Sequence, residues 1–232
     1  ALMFLYAYSP LIDISFSGGD FLLKNVRWAF QARETMPWGK DIPEDIFRHF
    51  VLPVRGGKED LDTARVVFYK ELKERVMTCE SMEKAALEVN HWCHEHVIYK
   101  PTNARTRSPL ATMLTAYGRC GEESIFTLAA LRAVGIPARQ IYVPRWAHCD
   151  DNHAWIEVWV DGVWKYLGAC EPEPRLNIAW FTLPVQRAIY VESEVFGKYR
   201  GQEEIVYVNE SGSGVNVTSH YTPTVPTVVQ VV

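Results

Sequence analysis

Cys120 stands in the string Tyr117-Gly-Arg-Cys-Gly-Glu-Glu123, and the residues after it predict a helix that begins at the cysteine itself. At a helix N-terminus the unpaired backbone N–H groups and the macrodipole favour negative charge, so a thiol there is biased toward thiolate, the nucleophilic form. The same N–H groups can hold an oxyanion, Gly121 leaves room for a carbonyl to approach the backbone, and Arg119 adds a positive charge nearby. The plainer alternative is a structural thiol, the commoner fate of a cysteine. A possible base is His153, which opens a predicted strand in Asp150-Asp-Asn-His-Ala-Trp155. A histidine at a strand start is by itself usually an ordinary satisfied residue. Paired with a cysteine at a helix start, it offers nucleophile and base for acyl transfer.

An imidazole used as a base is generally oriented by a third group. Residues 153–160 and 163–167 alternate as strands, joined by Asp161-Gly162, a two-residue hairpin signal. That turn puts His153 opposite Cys170 and Trp155 opposite Gly168, so an orienting carboxylate is expected at 168 or 170, where neither residue is acidic. Glu171 has the wrong parity unless the strand bends, which Gly168 and Pro172 permit. Asp151 and Asn152, neighbours of His153, are the alternatives. Alternation also sets His153, Trp155, Glu157 and Trp159 on one face and Ala154, Ile156, Val158 and Val160 on a more apolar one.

These groups need a frame. Leu61, Ala64, Phe68, Leu72 and Val76 recur at helical spacing, and a second helix follows Ser81 and ends before Lys100-Pro101. Ser108-Pro109 opens a short turn of helix, and the Cys120 helix stops at Gly135. Residues 138–144 then read as a strand beside the hairpin. Helices followed by antiparallel strands indicate an α+β fold. Residues 1–59 are broken by Pro and Gly and predict an N-terminal segment of short helices packed on the core, the clearest over 20–35. The core covers 60–200. From 201 the composition thins through Ser-Gly-Ser-Gly at 211–214, which reads as a linker and the start of a following β-rich domain over 201–232.

Composition narrows the function. Twenty-four Lys and Arg against 28 Asp and Glu give a net charge of −4, which disfavours nucleic acid as a partner. No stretch is long and apolar enough for a transmembrane span. The five cysteines form no Cys-x-x-Cys pair, so a zinc ribbon is disfavoured. His91-Trp-Cys-His-Glu-His96 fits neither zincin spacing. No metal and no cofactor are expected. Trp146, Trp155, Trp159, Trp164 and Trp180 are read as sheet packing before a binding platform.

Taken together, Tyr-Gly-Arg-Cys120, Gly-Ile-Pro-Ala-Arg139, Asp-Asn-His153-Ala-Trp and Trp164-Lys-Tyr-Leu-Gly-Ala-Cys-Glu171 resemble the transglutaminase-like superfamily over about residues 80–185. The Arg-Cys-Gly-Glu122 and Ala-Cys-Glu171 strings are similar to peptide N-glycanase motifs, and Trp146-Ala-His with Gly168-Ala-Cys-Glu-Pro-Glu-Pro174 resembles a Bacteroides-type bacterial branch. The resemblance implies a papain-like core with Cys120 as nucleophile and His153 as base. The family's aspartate falls on Gly168, so the third member is displaced or lost. It further implies attack of Cys120 on an amide carbonyl, an oxyanion held by the Cys120 N–H with Tyr117 O–H or the Trp92 indole as second donor, and a thioester passed to water or an amine. A peptide, protein or glycopeptide is the expected substrate. The alternative is a non-catalytic module that binds peptide or glycan in a multidomain surface protein. A depressed thiol pKa would favour the enzyme and an ordinary or high one the module. The start at Ala1 and the tail suggest an exported chain, periplasmic or at the cell surface.

Overall fold

The structure, a computed structural model, describes residues 1–102 and 105–225. In chain order it contains α1 (Leu2–Tyr8), α2 (Leu11–Thr35), α3 (Glu44–Phe50), α4 (Ala64–Met77), α5 (Met82–His96), β1 (Ile98–Tyr99), α6 (Pro109–Thr115), β2 (Tyr117–Gly118), α7 (Cys120–Ala133), β3 (Ala138–Val143), β4 (His153–Val160), β5 (Val163–Leu167), α8 (Thr182–Val185), β6 (Glu192–Phe196), β7 (Glu204–Val208) and β8 (Gly212–Asn216). The α+β class holds: a six-stranded antiparallel sheet in the order β5-β4-β3-β6-β8-β7 packs α7 with α4 and α5 on one face, while Phe50 of α3 and Val185 of α8 join the core on the other.

The central element is α7, buried on nearly every side from Glu122 to Ala133. Its apolar residues are spread round the helix, as in a helix enclosed by others, with buried Glu122 and Glu123 at its start and Arg132 at its end. It packs between α4, α5 and the inner face of β3 and β4 through Ile125, Phe126, Leu128 and Leu131. Phe126 stacks on Trp92 of α5 at 5.5 Å and meets Phe68 of α4 edge-on at 5.1 Å. The helix ends in a Schellman turn, with Ile136 N–H bonded to Leu131 O and Gly135 at φ +74°; only glycine takes that conformation freely.

The N-terminal segment is more helical than the sequence suggests. α2 spans Leu11–Thr35, but Gly18, at φ 67° and ψ 169°, is outside helical geometry and divides it into two helices, the second of which fits the expected helix over 20–35. Buried arginines fasten this segment to α7. Arg65 donates to the Val51, Pro53 and Arg132 carbonyls, and Arg132 to those of Arg55 and Ala138. Trp38 Nε1 reaches Val134 O at 3.2 Å.

The main correction concerns residues after 201. Instead of a linker, 204–208 and 212–216 are β7 and β8 of the core sheet, β8 lying between β6 and β7. Residues 226–232 of that expected domain lie outside the described residues. The glycines that read as linker are there for close approach: a Cβ on Gly212 would meet the Val195 carbonyl, and one on Gly214 would meet the Tyr207 ring. Gly212→Ala should therefore destabilise the protein by about 1–3 kcal/mol, the usual cost of forcing extra volume against fixed backbone. Urea denaturation followed by far-UV circular dichroism measures this; an unchanged midpoint would return 211–214 to the role of a linker.

Candidate active site

Cys120 is the first residue of α7, as its sequence context predicts. The turn before it is locked by Glu122, whose buried Oε2 accepts from the Arg119 backbone N–H at 3.1 Å and from Arg119 Nε at 3.2 Å. Gly118 permits this, since a Cβ there would overlap the Glu122 side chain. β5 stops opposite Ile156, and two residues along β4 the N–H of Ala154 is directed at the Cys120 thiol, as is that of Gly121. Both hydrogen bonds favour thiolate, and the Arg119 charge helps. Burial, and the nearby carboxyl of Glu123, act the other way and win, so the thiol pKa lies above its ordinary value. The helix-start argument for a depressed thiol is thus corrected: the dipole is present, but desolvation outweighs it.

His153 opens β4 and faces away from α7 with Trp155 and Glu157. That face is buried as well, contrary to the expectation of a less apolar environment. The imidazole lies among Trp146 (6.2 Å between ring centroids), Trp180 (4.8 Å) and Phe181 (5.1 Å). Burial lowers its pKa to about 4, with Asp151 opposing weakly. His153 Nε2 is buried without a hydrogen-bond partner. No hydrogen bond joins it to Cys120 among the described residues; the ring is one residue from Ala154, whose N–H touches the thiol.

The position opposite His153 is empty of acid for a visible reason. The chain leaves the sheet after Leu167, and Cys170 takes φ +57°, so the expected pairing of His153 with Cys170 does not form. Asn90 clamps the turn that replaces it: its Nδ2 donates to Gly168 O and Glu171 O, and its Oδ1 accepts from Cys170 N–H at 2.9 Å. The Glu171 side chain then folds back over Gly168, and a Cβ on residue 168 would strike Glu171 Oε2. A carboxyl from residue 171 thus fills the space of a side chain at 168. It does not hydrogen-bond His153. Glu171 Oε1 accepts from Trp180 Nε1 at 3.1 Å, while Oε2 is buried and unpartnered. The link to the imidazole runs through the Trp180 ring. Burial raises the Glu171 pKa; burial, together with the Glu171 and Glu122 charges, raises that of Glu123 to about 8. Asp151, the alternative orienter, accepts only from the Asn152 N–H with its carboxylate.

The thiol opens into a cleft of about 550 Å³ that also holds Arg119, Gly121, Tyr142 and Asn152. Two expected cleft residues are elsewhere. Trp92 is a core residue stacked on Phe126, and the Tyr117 ring lies between Lys100 and Arg107, at 4.6 and 4.8 Å. Their place beside the thiol is taken by the Ala154 N–H, which strand patterning cannot reveal because it is a backbone group. Sequence reasoning also missed Glu192, Glu194 and Tyr207, which line the cleft. The histidines of α5 serve separate contacts: His91 Nδ1 with Glu95, His94 Nδ1 with Cys170 O, and His96 Nδ1 with Trp92 O.

A family model described as the transglutaminase-like superfamily matches residues 70–169. Among solved structures, a candidate cysteine protease from Cytophaga hutchinsonii is similar at 18% identity and a TM-score of 0.47, over 81% of this chain and 68% of that one. A candidate protease from Parabacteroides distasonis ATCC 8503 is similar at 12% identity and a TM-score of 0.41, over 73% of this chain. The present chain covers 28% of that protein's length. No curated protein matches.

The buried imidazole makes a stability prediction. Its folded pKa of about 4 lies below the ordinary value near 6.5, so its contribution is whole above pH 6.5 and is lost as pH falls through 4. In urea titrations, wild type should lose up to about 3 kcal/mol relative to His153→Phe between pH 7 and pH 4. Parallel losses in both proteins would show that the ring is not desolvated as described.

Proposed function

We propose, from the match of residues 70–169 to the transglutaminase-like superfamily model, that the chain performs thiol-dependent chemistry on amide bonds through Cys120. The observation that carries this is the placement of the Cys120 thiol at the α7 N-terminus, on an open cleft and with the Ala154 N–H directed at it. A carbonyl entering there meets a nucleophile and fixed N–H donors in one place, the arrangement acyl transfer requires.

The resting pair is neutral. A raised thiol and a lowered imidazole do not exchange a proton before substrate arrives, so His153 acts as a general base. In the first step the His153 ring turns from its aromatic enclosure toward the cleft and takes the S–H proton as the sulfur–carbon bond forms and the carbonyl oxygen becomes an oxyanion. In the second the carbon–nitrogen bond breaks and the proton goes from His153 to the leaving amine. Water or an amine then takes the acyl group from the thioester and restores the thiol. His153 Nε2 is buried and without a partner, so no existing hydrogen bond has to break when the ring turns. Glu171 is a positioning residue, acting through Trp180 to hold the ring.

A second reading has its own support. The high thiol pKa and the absent Cys120–His153 hydrogen bond favour a module that binds peptide or glycan in the cleft without turning it over. Peptidyl thioesters distinguish the two by intact mass after acid quench. The enzyme reading predicts an acyl adduct on Cys120, none in Cys120→Ala, and accumulation about 100-fold slower in His153→Ala. Glu171→Gln should lower kcat several-fold with little change in KM. No adduct in wild type would leave the binding module.

A further inference from the structure

The helix layer covers only part of the inner sheet face. α7 packs on β3 and β4, whereas β6, β8 and β7 extend beyond it. Tyr142 of β3 pairs with Ala154 on one side and with Glu192 of β6 on the other. Its phenol feels the charges of both Cys120 and Glu192. Two residues on, Glu194 is opposite Gly214, which in turn is opposite Tyr207. A Cβ on Gly214 would enter the Tyr207 ring, so that ring lies flat on the sheet beside Glu194. One face thus runs from the thiol through Tyr142 to two carboxylates and an aromatic surface, all within the same cleft.

Neither carboxylate has a cationic partner among the described residues. Glu192 Oε2 accepts from Tyr190 O–H at 2.8 Å and Glu194 Oε1 from Asn209 Nδ2 at 3.5 Å. Arg119, the guanidinium nearest the thiol, is taken up by Glu122 and Thr106. Lys58 lines the cleft but pairs with neither glutamate. Two unneutralised carboxylates beside an aromatic face attract an ammonium or guanidinium group by charge and by the ring quadrupole together.

We propose that Glu192, Glu194 and Tyr207 form a specificity subsite for a lysine or arginine side chain of a peptide substrate, next to the residue presented to Cys120. This rests on the cleft being the substrate cleft of the reading above. It makes the β6–β8–β7 extension, which lies beyond the segment matched to the family model, the part of this chain that selects what is bound.

The test uses acetylated, amidated hexapeptides identical except for one central residue: lysine, arginine, norleucine or glutamate. Binding to Cys120→Ala is measured by calorimetry, so the result does not depend on turnover. The lysine and arginine peptides should bind about ten-fold or more tightly than the norleucine peptide, the glutamate peptide weakest, and the advantage should shrink as salt rises. In Cys120→Ala carrying Glu192→Gln and Glu194→Gln it should fall to about two-fold or less. The pair Glu74→Gln and Glu80→Gln, which removes equal charge far from the cleft, should leave it intact. Equal binding of all four peptides overturns the subsite, as does a preference that survives the Glu192 and Glu194 changes or is lost equally in the Glu74 and Glu80 control. A cationic preference without an acyl adduct in wild type would sink the catalytic reading alone; an adduct without the preference would sink the subsite alone.

Discussion

The site depends on how the N-terminus of α7 meets β4 at the point where β5 ends. Because β5 stops opposite Ile156, the Ala154 N–H is left without a strand partner on that side and is directed at the Cys120 thiol. Extending β5 by two residues, to 169, would occupy that donor and close the approach to the sulfur. The Asn90 clamp on residues 168–171 and the return of Glu171 over Gly168 keep the strand short. The replacement of acid by glycine at 168 is therefore coupled to the exit of the chain, and Glu171 takes up the vacated volume.

Burial then sets the chemistry. The same packing that fixes Cys120 and His153 strips much of the water from the half-buried thiol and from the imidazole, whose Nε2 is buried, raising the thiol and lowering the imidazole. Each group is held in its neutral form, the cheaper one in a desolvated environment. A neutral pair can still transfer a proton at the moment of attack, when the developing oxyanion is met by N–H groups already in place. It does not store a reactive thiolate between turnovers.

Local signals suffice where one element decides its own structure. The start of α7 at Cys120, its stop at Gly135 and the Asp161-Gly162 hairpin, with Trp159 opposite Trp164, follow from caps, turn residues and periodicity. The parts that escaped depend on distant contacts. Gly212 and Gly214 look like a linker because small residues carry no pattern, yet their smallness lets β8 lie against Val195 and Tyr207. The aromatic enclosure of His153 draws on Trp146, Trp180 and Phe181, none of which the β4 alternation can report. For the same reason the thiol shift had the wrong sign: a helix terminus is local, whereas desolvation is set by the whole fold.

The most direct measurement is the pH dependence of Cys120 alkylation by iodoacetamide, read by peptide mass spectrometry in the wild-type protein, with Cys149, exposed on its loop, as the internal reference. The account predicts that Cys120 reaches half its limiting rate at a higher pH than Cys149, and that His153→Ala does not move that midpoint downward. A midpoint well below pH 8 that is lost in His153→Ala would show a preformed thiolate–imidazolium pair and contradict the neutral site described above.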